Sequence, residues 1–404
     1  MIEINPDRLL TLLRALAAFG ADEHGITRLA FSKADTRARE WVSARLEEAG
    51  LAAAIDAIGN VYGRDPGAER AVLLGSHTDS VPRGGWLDGA LGVVYALEIA
   101  LALCDQSGKR AIGIDVIDFQ DEEGTFSPCL GSRLFCGEVS EQNALAIVPS
   151  HSAIGRMPAS ASFHRYEQRR HVAYLEAHIE QGPKLEAASC TIGIVQGIVG
   201  IRRFRLQATG RADHAGTTPI TMRRDAARAL FELAHHVHHE FPHLAARDSV
   251  WNTGNFSLEP GAANVVPGRA KMLVEIRDLD EAVLDVLENS LRACAQAQGE
   301  STLVEIRIER TACIAPQPMS QRLIDLFDRV AQGLAQKRQM MPSGAGHDAM
   351  IVARVMPAGM MFIPSIGGRS HSKAENTREE DIVAGCRVFA AAVDELISDP
   401  RWRA

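Results

Sequence analysis

Ala71-Val72-Leu73-Leu74 is a short apolar run that stops at Gly75 and hands the chain on to Ser76-His77-Thr78-Asp79. Such a run, bounded by turn-forming residues, reads as a buried strand of an α/β sheet. His77 and Asp79 then leave the strand's carboxyl end, where open α/β sheets place their sites. Gly84-Gly85-Trp86-Leu87-Asp88-Gly89 follows at once, and Asp121-Glu122-Glu123-Gly124 and Ser370-His371-Ser372 occupy comparable strand-to-loop positions much further along. The pattern is that of a metallohydrolase.

The rest of the chain supports an α/β reading. Leu9 to Leu16 and Thr36 to Leu46 carry helical spacing, and strands at Ala71–Leu74 and Ile112–Phe119 bracket an apolar helix over about 91–103. Strand, helix, strand in that order implies a mixed, mostly parallel sheet covered on both faces. Beyond the glycine-punctuated stretch Gly193–Gly200 the rhythm changes. A half-exposed strand over 202–208, a helix over about 222–239, strands over 251–257 and 269–277, a helix over about 280–298 and a strand over 302–309 make a β-α-β-β-α-β series, the ferredoxin-like α+β sandwich. The expected organisation is therefore a catalytic domain in two pieces, 1–198 and 317–404, interrupted by a smaller domain at 199–316, with hinges at Gly193–Gly200 and near Pro316.

With 404 residues the chain can bury a large core, and a net charge of -8 leaves no basic footprint for nucleic acid. No apolar stretch is long enough to span a bilayer and the first residues lack a signal-sequence pattern, so no membrane partner is expected and a cytoplasmic location is the default. Seven scattered cysteines without a Cys-x-x-Cys pair argue against disulfides and against a thiolate zinc site. Cys129 and Cys136 follow the acidic cluster, but a structural role is the better reading of both.

Imidazole and carboxylate ligands suit divalent metals such as zinc. His77, Asp88, Glu123, His178 and His371 each have glycine or small residues nearby. Five such ligands suit two metals sharing one carboxylate, with Asp88 the natural bridge, and a paired site activates water against a carbonyl. Asp79 reads as the partner of a ligating imidazole. Glu122 and Glu123 are adjacent and point different ways, so Glu123 is assigned to metal and Glu122 to general base. Taken singly, each of these residues is more simply a loop residue; the combination is what packing does not explain. The run His235-His236-Val237-His238-His239 has no glycine-rich turn and reads as a solvated helix face.

Together these motifs, with Leu175-Glu176-Ala177-His178-Ile179-Glu180-Gln181-Gly182-Pro183, Asp213-His214-Ala215-Gly216 and Ser343-Gly344-Ala345-Gly346-His347-Asp348-Ala349, resemble the dinuclear amidohydrolases of the M20 peptidase clan, and within it the hydantoinase/carbamoylase branch. That branch holds N-carbamoyl-L-amino acid hydrolases, allantoate amidohydrolases and β-ureidopropionases. The resemblance implies two divalent ions per subunit, Zn2+ or Mn2+ with Co2+ or Ni2+ also compatible. One would be held by His77, Asp88 and His178, the other by Asp88, Glu123 and His371. It implies Glu122 as base, and Gln181, His214, Asn264, Arg277 and the Gly346 backbone as substrate contacts. His214 would donate to the developing oxyanion from the neighbouring subunit of a homodimer joined through the small domains. The substrate would be a small ureido acid, cleaved at a ureido C–N bond; a metallopeptidase or N-acyl-amino acid deacylase on the same scaffold is the alternative. The segment Thr125–Ser132 departs from the branch's allantoate and carbamoyl-amino acid patterns.

Overall fold

The computed structural model describes residues 2–106, 112–149 and 162–402. The chain divides into two compact units, Met1–Gln196 with Pro318–Ala404, and Gly197–Gln317.

The first unit is built on a nine-stranded sheet. Its central strands, Ala358–Ile363, His171–Ile179, Ala71–His77 and Gly113–Phe119, lie side by side in that order and run parallel. Every residue of all four is buried. The helix Ala90–Asp105 packs on the Ala71–His77 strand and the helix Glu379–Ser398 on Ala358–Ile363. The mostly parallel architecture expected from the buried runs is therefore present. Parallel strands deliver all their carboxyl ends to one edge, and this is where His77, the 120–123 segment, His178 and the 364–371 segment emerge.

The sheet's outer strands were not legible in the sequence. Ala52–Ile55 and Val61–Arg64 pair antiparallel and join the edge of Gly113–Phe119, yet Ala52-Ala53-Ala54 carries no period-2 contrast. Ile192–Ile198, overlapping the stretch Gly193–Gly200 read as a hinge, forms a strand antiparallel to Ala358–Ile363.

The second unit has the β-α-β-β-α-β order. Its four antiparallel strands are arranged Val250–Glu259, Arg269–Asp278, Gly200–Thr209, Glu305–Ile314. The helices Ala226–Leu244 and Glu281–Thr302 pack against the sheet and each other. Their shared core is apolar, with Phe204, Leu206, Leu230, Leu233, Val237, Phe241, Met272, Val274 and Leu291 among the buried members. The second helix runs to Thr302, so the last strand starts three residues later than its pattern suggested.

At the amino end of the parallel strands, Asp115 ties three segments together. Its carboxylate takes a two-pronged contact from Arg170, Nε to Oδ2 at 2.6 Å and Nη2 to Oδ1 at 2.7 Å, with the Tyr62 hydroxyl at 2.5 Å and the Asp65 amide at 2.9 Å. Burial acts to raise its pKa, but hydrogen bonds from His171, Arg170 and Tyr62 outweigh it and bring it to about 2. The folded pKa lies below the ordinary 3.8, so this stabilisation is complete above about pH 4 and is lost as pH falls towards 2. Asp115→Asn is expected to cost about 3 kcal/mol at neutral pH, since it leaves the buried Arg170 without its counter-charge. Urea midpoints for the two proteins should converge between pH 4 and pH 2; a constant gap across that range would refute the assignment.

Candidate metal centre

Asp88 sits between two groups of imidazoles. Its Oδ1 lies 3.1 Å from His178 Nε2 and 3.7 Å from His77 Nε2, and its Oδ2 lies 3.3 Å from His371 Nε2. His371 Nε2 is in turn 3.6 Å from Glu123 Oε2. Among the described residues, His77, Asp88 and His178 offer ligand atoms all within 4.8 Å of one another, and so do Asp88, Glu123 and His371. The five side chains read from the sequence as ligands thus come together from segments nearly 300 residues apart.

The backbone explains the convergence. His77 is the last residue of its strand and His178 the last but one of the neighbouring parallel strand. Both Nδ1 atoms face backbone carbonyls, Asp79 O at 3.1 Å for His77 and Ile179 O at 2.9 Å for His178. A carbonyl only accepts, so each Nδ1 carries the proton and Nε2 is turned towards Asp88. Gly89, at φ +63°, allows the next turn to pass under the His77 ring, where an added Cβ would meet ring atoms at 2.4 Å. Asp88 itself is fixed by Glu375, whose Oε1 accepts from the Leu87 and Asp88 amides at 2.9 and 3.0 Å. That carboxylate reaches the turn because residue 85 is glycine; a Cβ there would fall 2.1 Å from it.

Asp79 acts differently from the sequence reading. Its carboxylate is 3.7 Å from His77 Nδ1 and instead accepts from the backbone amides of Glu122 and Glu123, at 3.3 and 3.2 Å. The turn carrying both glutamates is thereby held open towards Asp88. Behind Asp79 lies Arg39, fully buried and facing Asp35, Asp118 and Asp79 at 2.8, 3.1 and 3.5 Å.

The electrostatics fit a bound divalent cation. Burial, then the charge of Asp88, pushes the Glu123 carboxyl up to about 8, and burial with the charges of Asp348 and Glu123 pushes Glu122 well above its usual range. Burial drives His77 down to about 3, leaving it neutral as a ligand must be. For His178 burial is outweighed by the charge and hydrogen bond of Asp88, which hold it up at about 9, while its Nε2 accepts from the Gly89 amide at 3.0 Å. Glu123 Oε1 is buried without a hydrogen-bond partner. A crowded set of desolvated carboxylates and imidazoles with an orphaned oxygen is what a cation resolves.

Other expected residues are distributed as follows. Glu122 Oε2 lies 3.5 Å from His77 Nε2, and the Cys129 thiol lies 3.9 Å from Glu122 Oε1. Gln181, at φ +60°, donates from Nε2 to Asp88 Oδ2 at 2.7 Å, leaving its Oε1 buried and without a partner. Gly346 is exposed in the loop before the helix Asp348–Val352. Within the second unit, His214 and Asn264 are brought together because the two-residue strands Asp213–His214 and Val265–Val266 pair, and Asn264 O accepts from the Ala215 amide at 2.9 Å. Arg277 is held by Glu275, Nε to Oε1 at 2.8 Å.

The sequence reading assigned no role to Glu375, Ser370 or His347. Ser370 Oγ donates to Asp88 Oδ2 at 2.8 Å, and the buried His347 ring stands 4.5 Å from that of His178. His347 lies in the Gly-Ala-Gly-His-Asp string, which carried the signal; Glu375 had only its nearness to His371.

The chain belongs to the peptidase family M20/M25/M40, whose profile matches residues 73–395. Within that family it is similar to amidohydrolases. It is 32% identical over 403 residues to the N-carbamoyl-L-amino-acid amidohydrolase of Paenarthrobacter aurescens, covering 96% of this chain and 98% of the relative. It is also 32% identical to the allantoate amidohydrolase of Escherichia coli K12, covering 94% and 95%. A crystal structure of a hydantoinase/carbamoylase family amidase from Burkholderia phymatum superposes with a TM-score of 0.90 at 40% identity, covering 98% of each chain. The resemblance read from the sequence motifs holds.

Glu375→Ala removes Oε1, the oxygen that fixes the Asp88 turn. Metal affinity should fall about 10- to 100-fold, as for other groups that orient ligands. Metal content after dialysis against a graded chelator reads this directly, and an unchanged retention curve would show that Glu375 does not hold the ligand.

Proposed function

We propose that this chain is a metal-dependent amidohydrolase that hydrolyses the ureido (carbamoyl) C–N bond of a small carboxylate-bearing molecule, such as an N-carbamoyl-L-amino acid or allantoate. The observation that carries this reading is His178, a third imidazole beside Asp88, in a chain whose relatives over nearly their whole length are named for those substrates.

We assign His77, Asp88 and His178 to one divalent cation and Asp88, Glu123 and His371 to a second, Zn2+ or Mn2+ in the first instance. When bound, the pair would polarise the substrate carbonyl and make water nucleophilic at neutral pH. Glu122 takes the proton from the attacking water and delivers it to the leaving nitrogen. Its buried setting suits that task, because desolvation raises its proton affinity. Gln181 keeps an unpartnered acceptor, Oε1, which suits an N–H of a carbamoyl group. His214, Asn264 and Arg277 are assigned to the inserted unit's share of substrate binding, with Arg277 gripping the carboxylate, and the Gly346 backbone to a further contact. The products are ammonia, carbon dioxide and an amine or amino acid.

We further infer a homodimer joined through the inserted units. Val250–Glu259 is an outer strand of its sheet, and beside it Phe231 stacks on Phe256 at 5.0 Å while 55% exposed. An open strand edge lined by an exposed aromatic suits a second copy of the same surface.

Glu122→Gln should lower ammonia release about 10²- to 10⁴-fold with metal content unchanged; activity near that of the parent enzyme would remove Glu122 as the base. A panel of N-carbamoyl amino acids and allantoate, run beside dipeptides and N-acyl amino acids, tests the substrate class, and turnover of only the second set would refute it. If His214 serves the neighbouring subunit, mixing inactive His214→Ala and Glu122→Gln chains should restore part of the activity. Proven mixed dimers without rescue would show that each site is complete within one chain.

A further inference from the structure

We propose that the outward face of the helix Ala226–Leu244 carries a separate binding site for a borderline transition-metal ion, Cu2+, Ni2+ or Zn2+, with His235 and His239 as its two nitrogen ligands. The helix buries Leu230, Leu233, Val237 and Phe241 against the sheet of the second unit. That leaves positions 235 and 239, one turn apart, on its opposite side. Both are exposed, and their imidazole rings lie with centroids 3.9 Å apart and planes tilted by 35°.

The neighbouring histidines are engaged elsewhere. His236 Nε2 shares a hydrogen bond with Ser290 Oγ at 2.8 Å, and His238 Nε2 with Thr253 Oγ1 at 3.3 Å, so each is turned to one side of the helix. The side chains of His235 and His239 make neither a hydrogen bond nor an ion pair among the described residues. Two imidazoles at i and i+4 on one helical face are the spacing by which a helix chelates a metal through nitrogen. Metal–nitrogen bonds of about 2.0–2.1 Å put two ligand nitrogens about 3.3 Å apart, which rings already in contact reach by small side-chain rotations. Glu232 and Glu240 are exposed on adjoining positions and lower the cost of placing a cation there. Neutral imidazole selects the later first-row ions, with Cu2+ favoured over Ni2+ and Zn2+. Water completes the coordination. It lies entirely on the second unit and does not depend on the proposed activity.

The test compares the untagged full-length parent and variant proteins, each first loaded with Zn2+ and freed of excess; Zn2+ held by the helix pair is displaced by Cu2+, which nitrogen ligands bind more tightly. Cu2+ is then titrated in, followed by calorimetry and by the nitrogen hyperfine pattern in electron paramagnetic resonance. The parent protein should take up one further Cu2+ with a two-nitrogen signature. His235→Gln and His239→Gln should each weaken that event about 10-fold or more, while His238→Gln leaves it unchanged, and all three should retain ammonia release. Absence of the further Cu2+, or uptake that survives both the His235 and His239 substitutions, would overturn the assignment. Loss on His238→Gln alone would do so as well, by moving the ligand to another face.

Discussion

A single carboxylate with its two oxygens committed in different directions organises the first unit. Asp88 Oδ1 faces His77 and His178, while Oδ2 faces His371, Gln181 and Ser370. Such a division needs the carboxylate plane to be fixed, since rotation about the side-chain bonds would exchange the two sets of partners. Glu375 fixes the backbone beneath it by holding the amides of residues 87 and 88, close against Gly85, and Ser370, which also donates to Glu375, holds Oδ2. The geometry of the centre is thus decided by residues that are not themselves among its candidate ligands.

The same logic runs behind Glu122 and Glu123. Surrounding Arg39 with Asp35, Asp79 and Asp118, all fully buried, is an expensive way to stabilise a fold, because desolvating ions commonly exceeds what their attraction returns. Its value lies in orientation. Arg39 also donates to the carbonyls of Asp118 and Phe119 at the strand end, at 3.1 and 2.9 Å, and Gln120 Nε2 binds Asp35 at 2.9 Å. The strand terminus and Asp79 are therefore held in one network, and Asp79 passes that rigidity to the two glutamate amides. Apolar residues of equal volume could pack the space, but they could not aim a turn.

How much of this was legible depended on whether chemistry or packing chose the residue. The strand Ala71–His77 and the ligands at its end were readable because buried parallel strands leave a solid apolar run and ligands leave polar side chains beside glycine. Ala52–Ile55 was not, since a run of alanines favours helix by propensity and only pairing with Val61–Arg64, itself on the edge of Gly113–Phe119, makes it a strand. Asp79 was placed correctly near His77 but with the wrong partner. A sequence shows that a carboxylate is near an imidazole without showing that two amides, more than forty residues on, point at it more directly. Glu375 was invisible for the related reason that its work is done on backbone, which has no letter in the sequence.

The second unit shows a different economy. Its sheet is a ferredoxin-like scaffold whose core any alternating apolar pattern could build, and its candidate substrate residues are placed by small local devices. His214 and Asn264 meet through a two-residue ladder, and Arg277 is held by a glutamate two positions earlier on its own strand, where side chains i and i+2 share a face. Hydrogen bonding by Arg277 and Arg203 outweighs the burial of Glu275 and keeps its carboxyl below the usual range, so Arg277 has a permanent charged partner. An arginine held in this way is oriented before a ligand arrives. Little rotamer freedom is then left to lose, which is the condition under which a guanidinium discriminates a carboxylate from a neutral group.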